Sequence, residues 1–200
     1  TQYYTCAEPL APEGSQNTTA ARERKSEMRV EQIQIQIEKN GAFKITDKTA
    51  VPTAYLQDSG RECRIKERPA VIICPGGGYE FCSFREGEPV ALELLSKGYQ
   101  VFVLDYSVAP DSFPTALLEL AGAVAMVRMK AREWKVIPEK VAVMGFSAGG
   151  HLAASLSTLA KDINRPDFAI LYYPVISFDN KMAHQGSKKN LLGKNMIMKN

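Results

Sequence analysis

The stretch Val141-Ala-Val-Met-Gly-Phe-Ser-Ala-Gly-Gly150 constrains the fold of this chain more than any other. An apolar run from Val141 to Met144 stops at a glycine, and a single serine stands between Gly145 and Gly149. A small-residue helix then opens at Ala148 and continues through His151-Leu-Ala-Ala-Ser155. G-x-S-x-G between a strand and a helix requires a very tight turn. Such a turn strains the serine backbone, and the residues two positions away must be nearly atomless on that side. Gly145 and Gly149 meet that need, while Ala148 and Gly150 keep the space around the Ser147 hydroxyl open. The turn lifts Ser147 above the end of a sheet, where the next helix points its first N–H groups.

The rest of the chain supplies that sheet. Ala70-Val-Ile-Ile-Cys74 is continuously apolar, as a strand covered on both faces is, Val101-Phe-Val-Leu104 is the next buried strand, and Phe168-Ala-Ile-Leu-Tyr-Tyr173 is another strand, stopped by Pro174. Helical spacing predicts three helices between and beside them. One runs from Glu88 to Lys97 (Val90, Ala91, Leu94, Leu95) and ends at Gly98. A long one opens at Pro114 and turns Leu117, Leu120, Ala121, Val124, Val127, Ala131 and Trp134 to the core. The third runs from Ala148 to about Ala160 with Leu152, Leu156 and Leu159 inward. Nearer the N-terminus, Val30 to Ile37 alternates with period two and reads as a half-buried strand. Asn40-Gly41 marks a turn, Thr53 to Leu56 the returning antiparallel strand, and Asp58-Ser-Gly60 its end. Residues 1–27 are polar, carry Pro9 and Pro12 and show no periodicity, so they form an irregular arm before one domain over 28–200. Strands alternating with helices predict an α/β three-layer sandwich, its central sheet mainly parallel with an antiparallel N-terminal hairpin. Pro75-Gly-Gly-Gly78, Asp105-Tyr106, Ser147 and Pro174 then gather at one sheet edge, where open α/β sheets form their sites.

Pro75-Gly-Gly-Gly-Tyr79 follows its strand directly. Acyl transfer needs N–H donors aimed at the oxygen that becomes negative, and glycines let a backbone approach that closely. Gly77 and Gly78, with Ala148 after the serine, are the natural donors. A phosphate-cradling loop is the rival reading, but neither G-x-x-x-x-G-K-[ST] nor G-x-G-x-x-G with a following acid is present. A plain tight turn stays open.

These segments resemble a known family. Pro75-Gly-Gly-Gly-Tyr79, Asp105-Tyr-Ser-Val-Ala-Pro110, Phe113-Pro114 and Gly145-Phe-Ser-Ala-Gly-Gly-His-Leu-Ala153 are similar to α/β-hydrolase esterases and lipases of the acetyl-esterase/acetylxylan-esterase type. Leu171-Tyr-Tyr-Pro-Val-Ile176, His184-Gln-Gly-Ser187 and Leu191-Leu-Gly193 extend the likeness, which covers about residues 65–193. It implies the α/β-hydrolase fold and hydrolysis of short-acyl carboxylic esters, acetylated carbohydrates among them. Ser147 would be the nucleophile and Gly77, Gly78 and Ala148 the oxyanion hole. No cofactor and no metal are implied.

The family also needs a carboxylate and a histidine after the nucleophile, in that order. The chain ends before the strands that would carry them, so the C-terminal strands are expected to be missing. After Ser147 the sequence offers Asp162, Asp167, Asp179, His151 and His184. His151 reads as a packed, hydrogen-bonded side chain of the elbow helix. Asp179 and His184 share a loop and are weak acid/base candidates. A non-catalytic truncated hydrolase serving as a binding module is therefore the alternative function, and a peptidase or lipase on the same fold a third. Asp105 reads as structural. Tyr79, Phe81 and Phe84 line a pocket or cap the core, and Glu80, Glu86 and Glu88 read as solvated or capping carboxylates. The last strand forms an exposed apolar edge that invites pairing with a second copy.

A formal net charge of +3 is too small to argue for nucleic acid. The basic residues are scattered, dense only at Arg22-Glu-Arg-Lys25 and near the C-terminus. No apolar run approaches the roughly 18 residues of a membrane span. Cys6, Cys63, Cys74 and Cys82 have no C-x-x-C spacing, which fits reduced thiols in a cytoplasmic protein. The chain starts at Thr1, so a removed leader stays open.

Overall fold

A computed structural model describes residues 28–35, 50–59 and 64–197. The irregular arm expected over 1–27 and the Asn40-Gly41 turn lie outside these residues. Six strands form one sheet: β1 (Met28–Gln32), β2 (Val51–Gln57), β3 (Arg68–Cys74), β4 (Gln100–Asp105), β5 (Val136–Phe146) and β6 (Phe168–Tyr172). Their spatial order is β1-β2-β4-β3-β5-β6. β1 pairs with β2 and β2 with β4 antiparallel, whereas β4, β3, β5 and β6 run parallel. This is the expected mainly parallel sheet with an antiparallel N-terminal hairpin.

Helices cover both faces. α1 (Glu88–Ser96) sends Ala91 and Leu95 to one face, where they pack with Val71, Ile73, Val101 and Met144. α2 (Thr115–Met129), α3 (Ala131–Trp134) and α4 (Ala148–Leu159) cover the other, with Leu120, Val124, Trp134, Leu152 and Leu156 around Ile72, Phe102 and Val143. Each central strand is therefore buried on both sides, which is why it reads as an unbroken apolar run. α5 (Gln185–Ile197) follows β6 and breaks its helical geometry at Gly193.

Four details differ from the sequence-based expectation. Val30 is 53% exposed, because the inward face of the first strand is set by Ile33 and Ile35 and Val30 is out of phase with both. The long helix breaks at Lys130 into α2 and α3, and Trp134 lies 5.1 Å from Phe102, ring to ring. β5 begins at Val136 rather than Val141. Arg68 pairs with Val136 and Ala70 with Val141, so the residues between bulge outward, and exposed Glu139 and Lys140 hide the strand from its pattern. Leu159 is 61% exposed at the last turn of α4 rather than inward.

Candidate active site

The parallel strands present their C-terminal ends together, and the turn after β5 carries Ser147. Its backbone sits at φ 50°, ψ −115°, a conformation side chains rarely adopt. Three hydrogen bonds hold it there. Ser147 N–H donates to the Tyr172 carbonyl at 3.0 Å, and the Ser147 carbonyl accepts from Val175 N–H and His151 N–H, each at 3.1 Å. The exit of β6 thus clamps the strained residue from both sides. The glycines around it are required by crowding: a Cβ on Gly145 would lie 2.2 Å from the Gly149 carbonyl oxygen, and one on Gly149 would lie 2.0 Å from that of Cys74.

The loop after β3 runs alongside. A Cβ on Gly76 would lie 2.9 Å from the Phe146 carbonyl oxygen and 3.1 Å from Ser147 Cβ, so the loop runs close against the serine turn. Gly77 has φ 132°, open only to glycine. Among the described residues the loop's other polar groups are taken, apart from the Tyr79 N–H. Tyr106 Oη donates to the Pro75 carbonyl at 2.6 Å, and Gly76 N–H donates to Glu86 Oε2 at 2.7 Å. The Gly76 carbonyl accepts from Ser83 N–H at 2.8 Å, the Gly78 carbonyl from Asn190 Nδ2 at 2.9 Å, and the Tyr79 carbonyl from Ala109 N–H at 2.9 Å. Among the described residues the N–H groups of Gly77, Gly78 and Ala148 have no acceptor. Ala148 is the first residue of α4, where an N–H has no intrahelical partner. Unpaired N–H groups on a loop beside a strained serine are the raw material from which an oxyanion hole is built.

Among the described residues no hydrogen bond joins either acid/base candidate to Ser147. His184 Nδ1 accepts the Ser187 backbone N–H at 3.2 Å and meets Ser187 Oγ at 2.9 Å. The Asp179 carboxylate accepts the N–H of Lys181 at 2.9 Å. The Asp179/His184 pair is therefore not formed, because each side chain caps its own local turn. Asp167 lies at the opposite end of the sheet, where it pairs with Arg128 at 2.8 Å and accepts the Val141 N–H at 2.8 Å. Asp162 opens a short 3-10 turn before β6. Among the described residues, nothing hydrogen-bonds the Ser147 hydroxyl.

His151 is packed as expected. Its Nδ1 and the Tyr79 hydroxyl share a hydrogen bond of 2.9 Å, its ring lies 4.7 Å from Phe178, and burial pushes its pKa down. Tyr79 is therefore a buried prop, and burial raises its phenol pKa far above the usual range. Phe81 and Phe84 are exposed, and Phe84 lines a cavity beside the loop. Glu86 departs from the solvated reading, since it ties the glycine loop to the Tyr173 hydroxyl, which donates to it at 2.9 Å. A cavity of about 250 Å3 opens beside the loop between Thr53, Tyr55, Ser83, Glu88 and Asp105, with Pro75 on its wall and Ser147 outside it. Among the described residues no group of three His, Cys, Asp or Glu side chains is gathered that could hold a metal, and no helix is long and apolar enough to cross a membrane.

The fold and the serine elbow define an α/β hydrolase. The alpha/beta hydrolase fold family matches residues 71–199, and this chain belongs to it. It is similar to an acetylxylan esterase of Xylanibacter ruminicola, 37% identical over 149 residues, which are 71% of this chain and 31% of that protein. Among solved structures it resembles an acetyl ester-xyloside bifunctional hydrolase from Caldicellulosiruptor lactoaceticus, with 36% identity and a TM-score of 0.72 over 82% of this chain and 64% of that one. It also resembles an alpha/beta hydrolase enzyme from a Medee basin deep-sea metagenome library, with 40% identity and a TM-score of 0.66 over 78% of this chain and 61% of that one. The chain thus spans about a third of the curated relative's length and under two thirds of each solved one.

Proposed function

We propose that this chain carries the nucleophile and oxyanion half of a serine carboxylesterase acting on short-acyl esters, acetylated carbohydrates among them. The observation that carries the reading is the strained Ser147 set beside the unpaired N–H groups of Gly77, Gly78 and Ala148. Ser147 Oγ attacks the ester carbonyl carbon. The carbonyl oxygen becomes an oxyanion held by those donors, and collapse expels the alcohol and leaves an acyl-serine that water hydrolyses. The Oγ proton passes to a base, which in such hydrolases follows the nucleophile in the chain. The names of the two similar xylan- and xyloside-related hydrolases support a carbohydrate alcohol. The free thiols of Cys74 and Cys82 support a cytoplasmic setting.

The test is hydrolysis of p-nitrophenyl acetate by this chain and by Ser147→Ala. Turnover that disappears in the variant is the expected result. Equal rates for both would mean that the elbow is intact but idle in this chain, and would favour the non-catalytic binding module.

A further inference from the structure

His184 stands immediately before α5, and its ring does what an N-cap side chain does. Nδ1 accepts the N–H of Ser187, the third residue of the helix, at 3.2 Å, and the His184 carbonyl accepts the Lys188 N–H at 3.1 Å. A backbone amide can only donate, so Nδ1 carries the lone pair and the neutral ring bears its proton on Nε2. Ser187 is 0% exposed, which fixes the cap and with it the ring plane. Nε2 is the nitrogen a general base would need free, so this tautomer removes His184 from that role and makes it a donor.

The donor is well placed. A Cβ on Gly78 would lie 4.0 Å from His184 Cε1 and 3.7 Å from Ser187 Oγ, so the ring edge lies against the glycine loop. Asn190, in the second turn of the same helix, holds the Gly78 carbonyl at 2.9 Å. His184 itself is exposed. An exposed N–H beside the glycine loop favours ligands with an acceptor in reach. A short acyl chain offers none beyond its carbonyl, which the loop donors take, whereas a polyol alcohol offers several.

We infer that His184 is a specificity-determining residue whose Nε2–H donates to a hydroxyl or ether oxygen on the alcohol side of the ester, selecting hydroxyl-rich alcohols such as sugars. This rests on the ester-hydrolase reading of Ser147.

The test uses the full chain carrying Ser147→Ala, so that esters bind without turnover. Two probes are titrated, an acetylated methyl xyloside and p-nitrophenyl acetate, with and without His184→Ala or His184→Asp. Aspartate keeps a side-chain cap for Ser187 and carries no N–H donor. Losing one hydrogen bond to a ligand weakens binding by roughly tenfold. The xyloside ester is expected to bind about tenfold more weakly to both variants, with p-nitrophenyl acetate binding unchanged and the melting temperature of the aspartate variant retained. Nitrogen-15 spectra of the ring above pH 8 are expected to show Nε2 protonated. Xyloside binding indifferent to His184, equal weakening of both probes, or a proton on Nδ1 overturns the inference and leaves the esterase reading standing. If neither probe binds, the esterase reading fails and the inference fails with it.

Discussion

Glu86 Oε2 accepts the N–H of Gly76 at 2.7 Å, one residue before the two glycines that offer donors to the site. Its other oxygen accepts the Tyr173 hydroxyl at 2.9 Å, and Tyr173 follows the strand whose Tyr172 carbonyl anchors Ser147. One carboxylate thus couples the glycine loop to the strap that holds Ser147. Glu86→Ala is expected to lower stability by about 1.5–3 kcal/mol, the range for a hydrogen bond to a charged group. It is also expected to reduce p-nitrophenyl acetate turnover more than Tyr173→Phe does, since only the glutamate change frees the loop. Urea titration and initial rates check this, and equal rate losses in the two variants would place the coupling elsewhere.

Gly149→Ala is expected to cost about 3 kcal/mol or more. Its new methyl would meet two backbone oxygens, at 2.0 Å from Cys74 and 2.4 Å from Pro75, and backbone cannot swing aside. Gly122→Ala is the contrast, since a methyl there meets only the Ile35 side chain, at 3.1 Å, in a helix interior. Helix propensity gains roughly 0.8–1 kcal/mol from that change, offset by the contact, so stability should move by less than about 1 kcal/mol. Denaturant midpoints of the two variants read the difference directly.

The elbow is legible in the sequence because its requirement is local and steric: a serine on a tight turn admits only glycine at 145 and 149. The sheet is legible because central strands buried on both faces spell unbroken apolar runs. Glu86 is not legible. It stands among Glu80 and Glu88, and nothing in the pattern marks which carboxylate the short turn at Phe84–Glu86 folds back onto Gly76. Glu119 left a signal that a polarity-based reading passes over. It lies at helical spacing between Thr115 and Ala123, both buried, and its carboxylate accepts Ser107 N–H at 2.7 Å and Ser107 Oγ–H at 2.6 Å. The Nδ1 cap of His184 depends on where α5 starts, which its mixed composition does not declare.

Glu119 also yields a pH test. Burial raises its pKa above the ordinary 4.5, despite the Ser107 hydrogen bonds that pull the other way. Between 4.5 and the raised value the native state binds more protons than the unfolded chain, so this group's contribution to stability falls as pH rises through that window. Glu119→Gln cannot ionise. Its stability relative to the unaltered chain is expected to be more favourable at pH 7 than at pH 4, and melting temperatures of both proteins at both pH values decide it.

His151 carries the opposite sign. Burial lowers its pKa below 6.5, so the unfolded chain binds the extra proton first as the solution is acidified. Stability is therefore expected to decline as pH falls below about 6.5, until the native imidazole also protonates. His151→Gln should flatten that limb of the curve, and an unchanged slope would assign the acid loss to other groups.

β6 leads to the last expectation. It pairs with β5 on one side, and among the described residues no strand pairs with its other side. All five of its residues are exposed, Phe168 at 61% and Tyr172 at 47%. An apolar strand with unpaired N–H and carbonyl groups is a template for another strand. The 200-residue chain is expected to self-associate through this edge, with a scattering mass that rises with concentration. Ile170→Lys places a charge in the middle of the strand, where desolvating it opposes edge-to-edge pairing, and should shift the protein toward monomer. A mass that stays monomeric across concentrations in the unaltered chain would show that this edge is not self-complementary.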